Sequence, residues 1–162
     1  MFTVKKEDNP EENYRLMLEV IKAMLADEKN VIANLSNISA VINAYMDRLN
    51  WAGFYLMTDG ELVLGPFQGM PACVRIKLGK GVCGTAALEK RVVLVEDVHA
   101  FSGHIACDSN TNSEIVVPIF KNGDIYGVLD LDSPDLKRFT ELENRYLSKI
   151  GDAISEFLSK SE

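Results

Sequence analysis

The sequence has no apolar run long enough to cross a bilayer, no lysine- or arginine-rich stripe and only two histidines. The first absence argues against a helical membrane span, and the charged stretch from Met1 to Asn9 does not read as a secretory signal. A cytoplasmic location is the resulting expectation. The second absence, together with a net charge of −7, argues against a nucleic-acid partner. Cysteine is scarce as well. There are three, at Cys73, Cys83 and Cys107, an odd number in a chain with no export signal, so a structural disulfide framework is not expected. Their spacing is not that of the close pairs of a zinc ribbon, although His104 and Cys107 have a ligand-like separation. Buried free thiols are the plain alternative.

What is present reads as a soluble globular protein. A chain of 162 residues can bury a core without covalent staples, and a single domain over residues 1–162 is expected. The periodicity gives two helices, a mixed sheet and a last helix. Asn9 is a plausible N-cap with Pro10 at the first helical position, and Tyr14, Met17, Leu18, Ile21, Met24 and Leu25 follow at helical spacing. Val31, Leu35, Ile38, Ile42, Tyr45 and Leu49 form a second stripe. Thr140 and Glu143 have capping-box spacing and open a helix carrying Leu142, Tyr146, Ile150, Ile154 and Phe157. All three stripes are core faces rather than functional ones. The arrangement is α+β, with terminal helices on a central sheet.

Two hairpins are expected between the helices. Trp51 to Thr58 breaks at Asp59-Gly60 and returns over Glu61 to Phe67, and Glu114 to Lys121 pairs with Asp124 to Asp132 around Asn122-Gly123. Cys73 to Lys77 and Val92 to Val95 are shorter strands, and a helix is expected from about Cys83 to Lys90. Strand alternation puts Trp51, Gly53 and Tyr55 on one side and Ala52, Phe54 and Leu56 on the other. In the last strand Ile125, Gly127, Leu129 and Leu131 face the helices, while Asp130 and Asp132 face away with Tyr126 and Val128. For a single aspartate a solvated face is the simpler reading. A two-residue turn at Asn122-Gly123 puts Ile115 opposite Asp130. A three-residue loop, with Gly123 left-handed, puts Glu114 there and is favoured, because it sends Ile115, Val117 and Ile119 to the helix side with Leu129 and Ile125. Glu114, Asp130 and Asp132 then cluster. Three clustered carboxylates repel unless a cation or a shared proton joins them, and a bound ammonium satisfies that need.

The stretch from Asp97 to Ser113 has no period and reads as a long loop, a kind of segment that is often functional. It carries Cys107 just ahead of Glu114, which makes Cys107 the better candidate nucleophile. An unperturbed thiol is only about 3 % thiolate at pH 7, and acidic neighbours lower that fraction. Loop N–H groups or a protonated His104 would offset them. Cys83 follows Gly79-Lys80-Gly81-Val82 at a helix start, where the dipole favours a thiolate; a small core residue under a glycine-rich turn fits as well.

Five stretches together resemble the free methionine-(R)-sulfoxide reductases, a branch of the GAF fold. They are Trp51-Ala52-Gly53-Phe54-Tyr55, Gly79-Lys80-Gly81-Val82-Cys83-Gly84, Gly103-His104-Ile105-Ala106-Cys107-Asp108-Ser109, Ser113-Glu114-Ile115-Val116-Val117-Pro118 and Gly127-Val128-Leu129-Asp130-Leu131-Asp132-Ser133. The likeness runs from about Tyr14 to Phe157. It implies a central antiparallel sheet, the terminal helices on one face and a ligand pocket on the other. It further implies Cys107 as the attacking cysteine, Cys73 as its main resolving partner and Cys83 as an accessory thiol. Trp51, Tyr55, Glu114, Asp130 and Asp132, with Ile105 and Ala106 of the loop, are implied in the substrate pocket. Asp132 or Glu114 would supply a proton. The implied partners are free methionine sulfoxide, thioredoxin or a similar dithiol, and a second copy of the chain in a homodimer; no metal or organic cofactor is required. Ser102, where the family often has proline, and Asn110-Thr111-Asn112, where a serine-rich variant is usual, depart from the pattern beside the active loop. The rival readings are a non-enzymatic GAF sensor and a zinc module built on Cys107, His104 and Cys83.

Overall fold

The computed structural model describes residues 2–161, in the order α1 (Pro10–Asp27), α2 (Val31–Tyr45), β1 (Trp51–Thr58), β2 (Glu61–Gly69), β3 (Arg75–Lys77), α3 (Gly81–Glu89), β4 (Val93–Val95), β5 (Ser113–Lys121), β6 (Asp124–Ser133) and α4 (Glu141–Lys160). A short 3-10 turn, Val98–Ala100, interrupts the long loop. The helix starts follow from their caps. The Asn9 side chain accepts from the Glu12 N–H and Pro10 opens α1. Asn30, not anticipated as a cap, does the same for α2 through Ala33. At α4 the Thr140–Glu143 capping box is complete.

The six strands form one sheet in the order β3-β2-β1-β6-β5-β4. Every pairing is antiparallel, as the family resemblance implies, where the periodicity alone had suggested a mixed sheet. One face carries Ala52, Phe54, Ile115, Val117, Ile119, Leu129 and Leu131 against the apolar stripes of α1, α2 and α4. The opposite face carries Trp51, Tyr55, Val116 and Val128 against Val82, Cys83, Ala86 and Ala87 of α3. The period-two alternation of the strands sorts the two cores. Inside the first core the Arg138 guanidinium and the Tyr14 hydroxyl both donate to Glu143 Oε1, at 3.0 and 2.9 Å, which ties α1 to the start of α4. No helix among the described residues is long and apolar enough to cross a membrane.

The β5–β6 register corrects the expectation. Lys121 pairs with Asp124, so Asn122-Gly123 is a two-residue turn with both residues at positive φ, 51° and 84°. Beyond it Phe120 pairs with Ile125 but Ile119 pairs with Gly127, leaving Tyr126 as an extra residue on β6. Glu114 therefore faces Asp132, and Val116 faces Asp130. Relative to the favoured three-residue loop the shift is two residues. An even shift leaves side chains on their faces, so Glu114, Asp130 and Asp132 still share one side. Only the turn-proximal residues change sides: Ile125 joins the α3 side and Tyr126 packs toward the helices. Gly127 follows the bulge. A Cβ at this position would lie 2.3 Å from the Tyr55 carbonyl oxygen, so the strand closes on β1 only with glycine in place.

Candidate active site

The pairing registers align the site side chains in rows across the α3 side of the sheet. Trp51 neighbours Asp132, and Asp132 neighbours Glu114; one row along, Gly53 neighbours Asp130. Trp51 is 2 % exposed, stacked on Tyr55 at 5.8 Å and on Phe67 at 5.2 Å, and its indole N–H donates to the Met70 carbonyl. The Tyr55 hydroxyl donates to the Cys73 carbonyl at 2.8 Å and so holds the segment that carries Cys73. The loop ahead of β5 folds over this face. It brings Cys107 to Cys73, and the two form a disulfide with 5.5 Å between their Cα atoms.

A cavity of about 40 Å³ lies between the loop, α3 and the sheet. Cys107, His104 and Ile105 line it from the loop, Cys83 from α3, and Trp51, Tyr55, Glu114, Asp130 and Asp132 from the strands. Cys73 is outside the lining, bonded to Cys107, and Ala106 is exposed and also outside it.

Burial dominates the electrostatics. Glu114 and Asp130 are 6 % and 5 % exposed. Loss of water, and then the charges of Asp130 and Asp132, push the Glu114 carboxyl well above its ordinary range. Burial and the Asp130 charge do the same to Asp132. Burial also raises Asp130, but hydrogen bonds from the Glu114 carboxyl and the Cys83 thiol hold it lower, at about 6. Near neutrality the cluster therefore retains protons, with Asp130 the first to ionise. The Asp130 and Asp132 Oδ1 atoms have no hydrogen-bond partner among the described residues, which leaves acceptors waiting for a cation or a donor.

Cys83 and His104 are neutral. Burial, then the negative charges of Asp130, Glu114 and Asp132, keep Cys83 a thiol, overriding any benefit from its place at the start of α3. Burial and the nearby His99 lower His104. Its Nε2 is 3.8 Å from Glu114 Oε2, but between a neutral imidazole and a protonated carboxyl this is a polar contact and not an ion pair. The lowered His104 is thus not a source of positive charge beside Cys107 near neutral pH.

A GAF domain family model matches residues 34–159. Free methionine-R-sulfoxide reductase of Escherichia coli is 45% identical over 154 residues, 95% of this chain and 93% of that protein. The X-ray structure of free methionine-R-sulfoxide reductase from Neisseria meningitidis in complex with its substrate superposes with a TM-score of 0.95 at 41% identity, covering 99% of this chain and 98% of that one. The reduced form of the Staphylococcus aureus fRMsr gives a TM-score of 0.88 at 49% identity over 98% of this chain and 99% of that one. The chain belongs to the free methionine-R-sulfoxide reductase family.

In this member of the family, the structure gathers Cys107, Cys83, Trp51, Tyr55, Glu114, Asp130, Asp132 and Ile105 around one cavity. Sequence reasoning missed the polar frame beside it: the Asn50 amide donates to Asp108 Oδ2 at 2.9 Å and to the Thr111 hydroxyl at 3.0 Å. These residues brace the loop near Asp132, and the only available signal was their placement flanking β1 and β5.

The raised Asp130 carboxyl has a thermodynamic consequence. Between its ordinary 3.8 and about 6 the folded reductase binds a proton that the unfolded chain does not. Stability is accordingly highest below pH 4 for this group and is lost as pH rises through 6. An Asp130→Asn variant carries the neutral shape at every pH. Its melting temperature is expected to exceed the parent's by about 4–8 °C at pH 7.5, on the order of 2 kcal/mol, and to match it near pH 4. A scan at the two pH values checks this, and an equal or lower value at pH 7.5 would refute the assignment.

Proposed function

We propose that this chain reduces free L-methionine (R)-sulfoxide to methionine through a cysteine sulfenic acid and an intramolecular disulfide. The observation that carries this reading is the position of Cys107: its sulfur is bonded to Cys73 and borders a cavity walled by Glu114, Asp130 and Asp132. Membership of the reductase family supports it. The GAF sensor alternative leaves the paired cysteines without a task.

In the reduced protein the Cys107 thiolate attacks the sulfoxide sulfur while a neutral carboxyl, Glu114 or Asp132, protonates the departing oxygen. Both are held protonated near neutral pH by their surroundings. Methionine leaves with the sulfur lone pair restored, and Cys107 keeps the oxygen as a sulfenic acid. The Cys73 thiol displaces that oxygen as water, forming the disulfide. An external dithiol such as thioredoxin then reopens it by exchange and is itself oxidised. In the disulfide-bonded form a cavity of about 40 Å³ borders Cys107. The α-ammonium would sit against Glu114 and Asp130, and the methyl-sulfur end against the Trp51 ring, where sulfur–aromatic contact is favourable. The preference for the R epimer follows the family. The reaction fits a cytoplasmic setting, where reducing dithiols are maintained, and the reductase would act as a homodimer as the resemblance implies.

The test is turnover. With thioredoxin, thioredoxin reductase and NADPH, free methionine (R)-sulfoxide is expected to yield methionine and consume NADPH one for one. No consumption above the rate without substrate would overturn the proposal.

A further inference from the structure

The proposed chemistry leaves one buried nucleophile without a task. Cys83 is a free, buried thiol, and it lies beside the two carboxylates that would hold the ammonium. One ligand atom from each of Cys83, Glu114 and Asp130 can be chosen so that all lie within 4.8 Å of one another. The Cys83 Sγ is 3.9 Å from Glu114 Oε1, and the His104 Nε2 is 3.8 Å from Glu114 Oε2. Glu114 thus stands between a thiol and an imidazole. Asp130, 5 % exposed, aims an unpartnered Oδ1 into the same cavity.

An ammonium needs oxygen acceptors and gains nothing from a thiol. A soft divalent metal gains a great deal. Zinc binds sulfur at about 2.3 Å and oxygen or nitrogen at about 2.0–2.2 Å, so neighbouring donors in a tetrahedral site lie roughly 3.3–3.7 Å apart. The 3.9 Å from Cys83 Sγ to Glu114 Oε1 is within a few tenths of an ångström of that range. The cavity, of about 40 Å³, has room for an ion. The spacing in the sequence had suggested Cys107 and His104 as zinc ligands with Cys83. Cys107 is bonded to Cys73, and the structure supplies Glu114 and Asp130 in its place.

We infer that Cys83, Glu114 and Asp130 form a three-donor zinc-class metal site in the disulfide-bonded protein, with water completing the coordination. Binding exchanges the thiol and carboxyl protons, which pass to solvent, for the dication; no electron is transferred. Magnesium and calcium, which want oxygen cages, are poor matches for this donor set. Occupancy would put the metal where the ammonium is proposed to sit, so metal and substrate exclude each other. That corollary rests on the reductase reading, whereas the binding itself does not.

The experiment titrates the metal alone into chelator-stripped protein with the Cys73–Cys107 disulfide intact, so that Cys83 is the one free thiol present. Expected are saturable binding of one Zn²⁺ per chain, protection of Cys83 from alkylation, and a thiolate-to-cobalt band in the near ultraviolet with Co²⁺. C83S is expected to lose the cobalt band and about 100-fold in zinc affinity. Millimolar Mg²⁺ or Ca²⁺ is expected not to displace the zinc. Absence of saturable binding, a missing cobalt band, binding that C83S leaves unchanged, or displacement by Mg²⁺ would each overturn the site. Because no substrate is present, such a failure leaves the reductase reading standing, and a failure of turnover leaves the metal site standing.

Discussion

Replacing Cys107 with serine is expected to abolish reduction of free methionine (R)-sulfoxide, by at least about 10⁴-fold, the scale on which loss of a covalent nucleophile costs an enzyme. A hydroxyl at this position would have to ionise far above neutral pH, among carboxylates that oppose any further negative charge. Cys83 cannot substitute, because burial and the same three acids hold it as a thiol. Cys73→Ser behaves differently, and that difference identifies the roles. Without an external reductant, the parent and Cys73→Ser should each release one methionine per chain. The parent loses two of its three thiols in doing so and retains Cys83. Cys73→Ser loses one, as a sulfenic acid that a cyclic 1,3-dione reagent traps and mass spectrometry locates on Cys107. Turnover surviving in Cys107→Ser, or a dione adduct on Cys83, would remove the nucleophile assignment.

The second large effect is selectivity for the free amino acid. Glu114 and Asp130 are buried, and the Asp130 Oδ1 has no partner among the described residues. A substrate bringing an ammonium supplies the missing donor and the compensating charge. One without it leaves the ionised Asp130 carboxylate enclosed and unpaired, at a cost of roughly 3–5 kcal/mol, equivalent to roughly 200- to 5,000-fold in kcat/KM. The cleanest comparison is the des-amino analogue, 4-(methylsulfinyl)butanoate. It is smaller than the substrate, so steric exclusion cannot explain a loss. An N-acetyl or peptide-bound sulfoxide should fare at least as badly. Glu114→Gln and Asp130→Asn are expected to narrow the gap between substrate and analogue to about tenfold, chiefly by weakening the substrate. Equal kcat/KM on free and des-amino sulfoxide would refute the ammonium contact. With the predicted gain in melting temperature, Asp130→Asn would separate stability from activity: the carboxylate that recognises substrate destabilises the empty fold.

Much of this molecule follows from local rules. The apolar stripes and caps at Asn9-Pro10 and Thr140–Glu143 define the first and last helices because capping and a 3.6-residue period act within one or two turns. Asp59-Gly60 and Asn122-Gly123 mark both hairpins because few residue pairs accept two successive positive φ angles. Alternation alone places Glu114, Asp130 and Asp132 on the side opposite the terminal helices, since the strand period is two whatever the partner. The motif stretches were enough to place the chain in its family.

The rest depends on neighbours far away in sequence. The Tyr126 bulge sits beside Gly127, which closes on the Tyr55 backbone, and together with the two-residue turn it sets Glu114 against Asp132 in place of Asp130. The disulfide partner of Cys107 depends on how the loop lies over β1 and the Cys73 segment. The protonation of the acids, the neutral His104 and the inert Cys83 depend on how much water the assembled walls remove. Dihedral preferences and side-chain periods are properties of short segments, so the sequence by itself determined the elements and their faces. Register, disulfide pairing and charge state are properties of the closed pocket, which exists only once strands from both hairpins and the loop have come together.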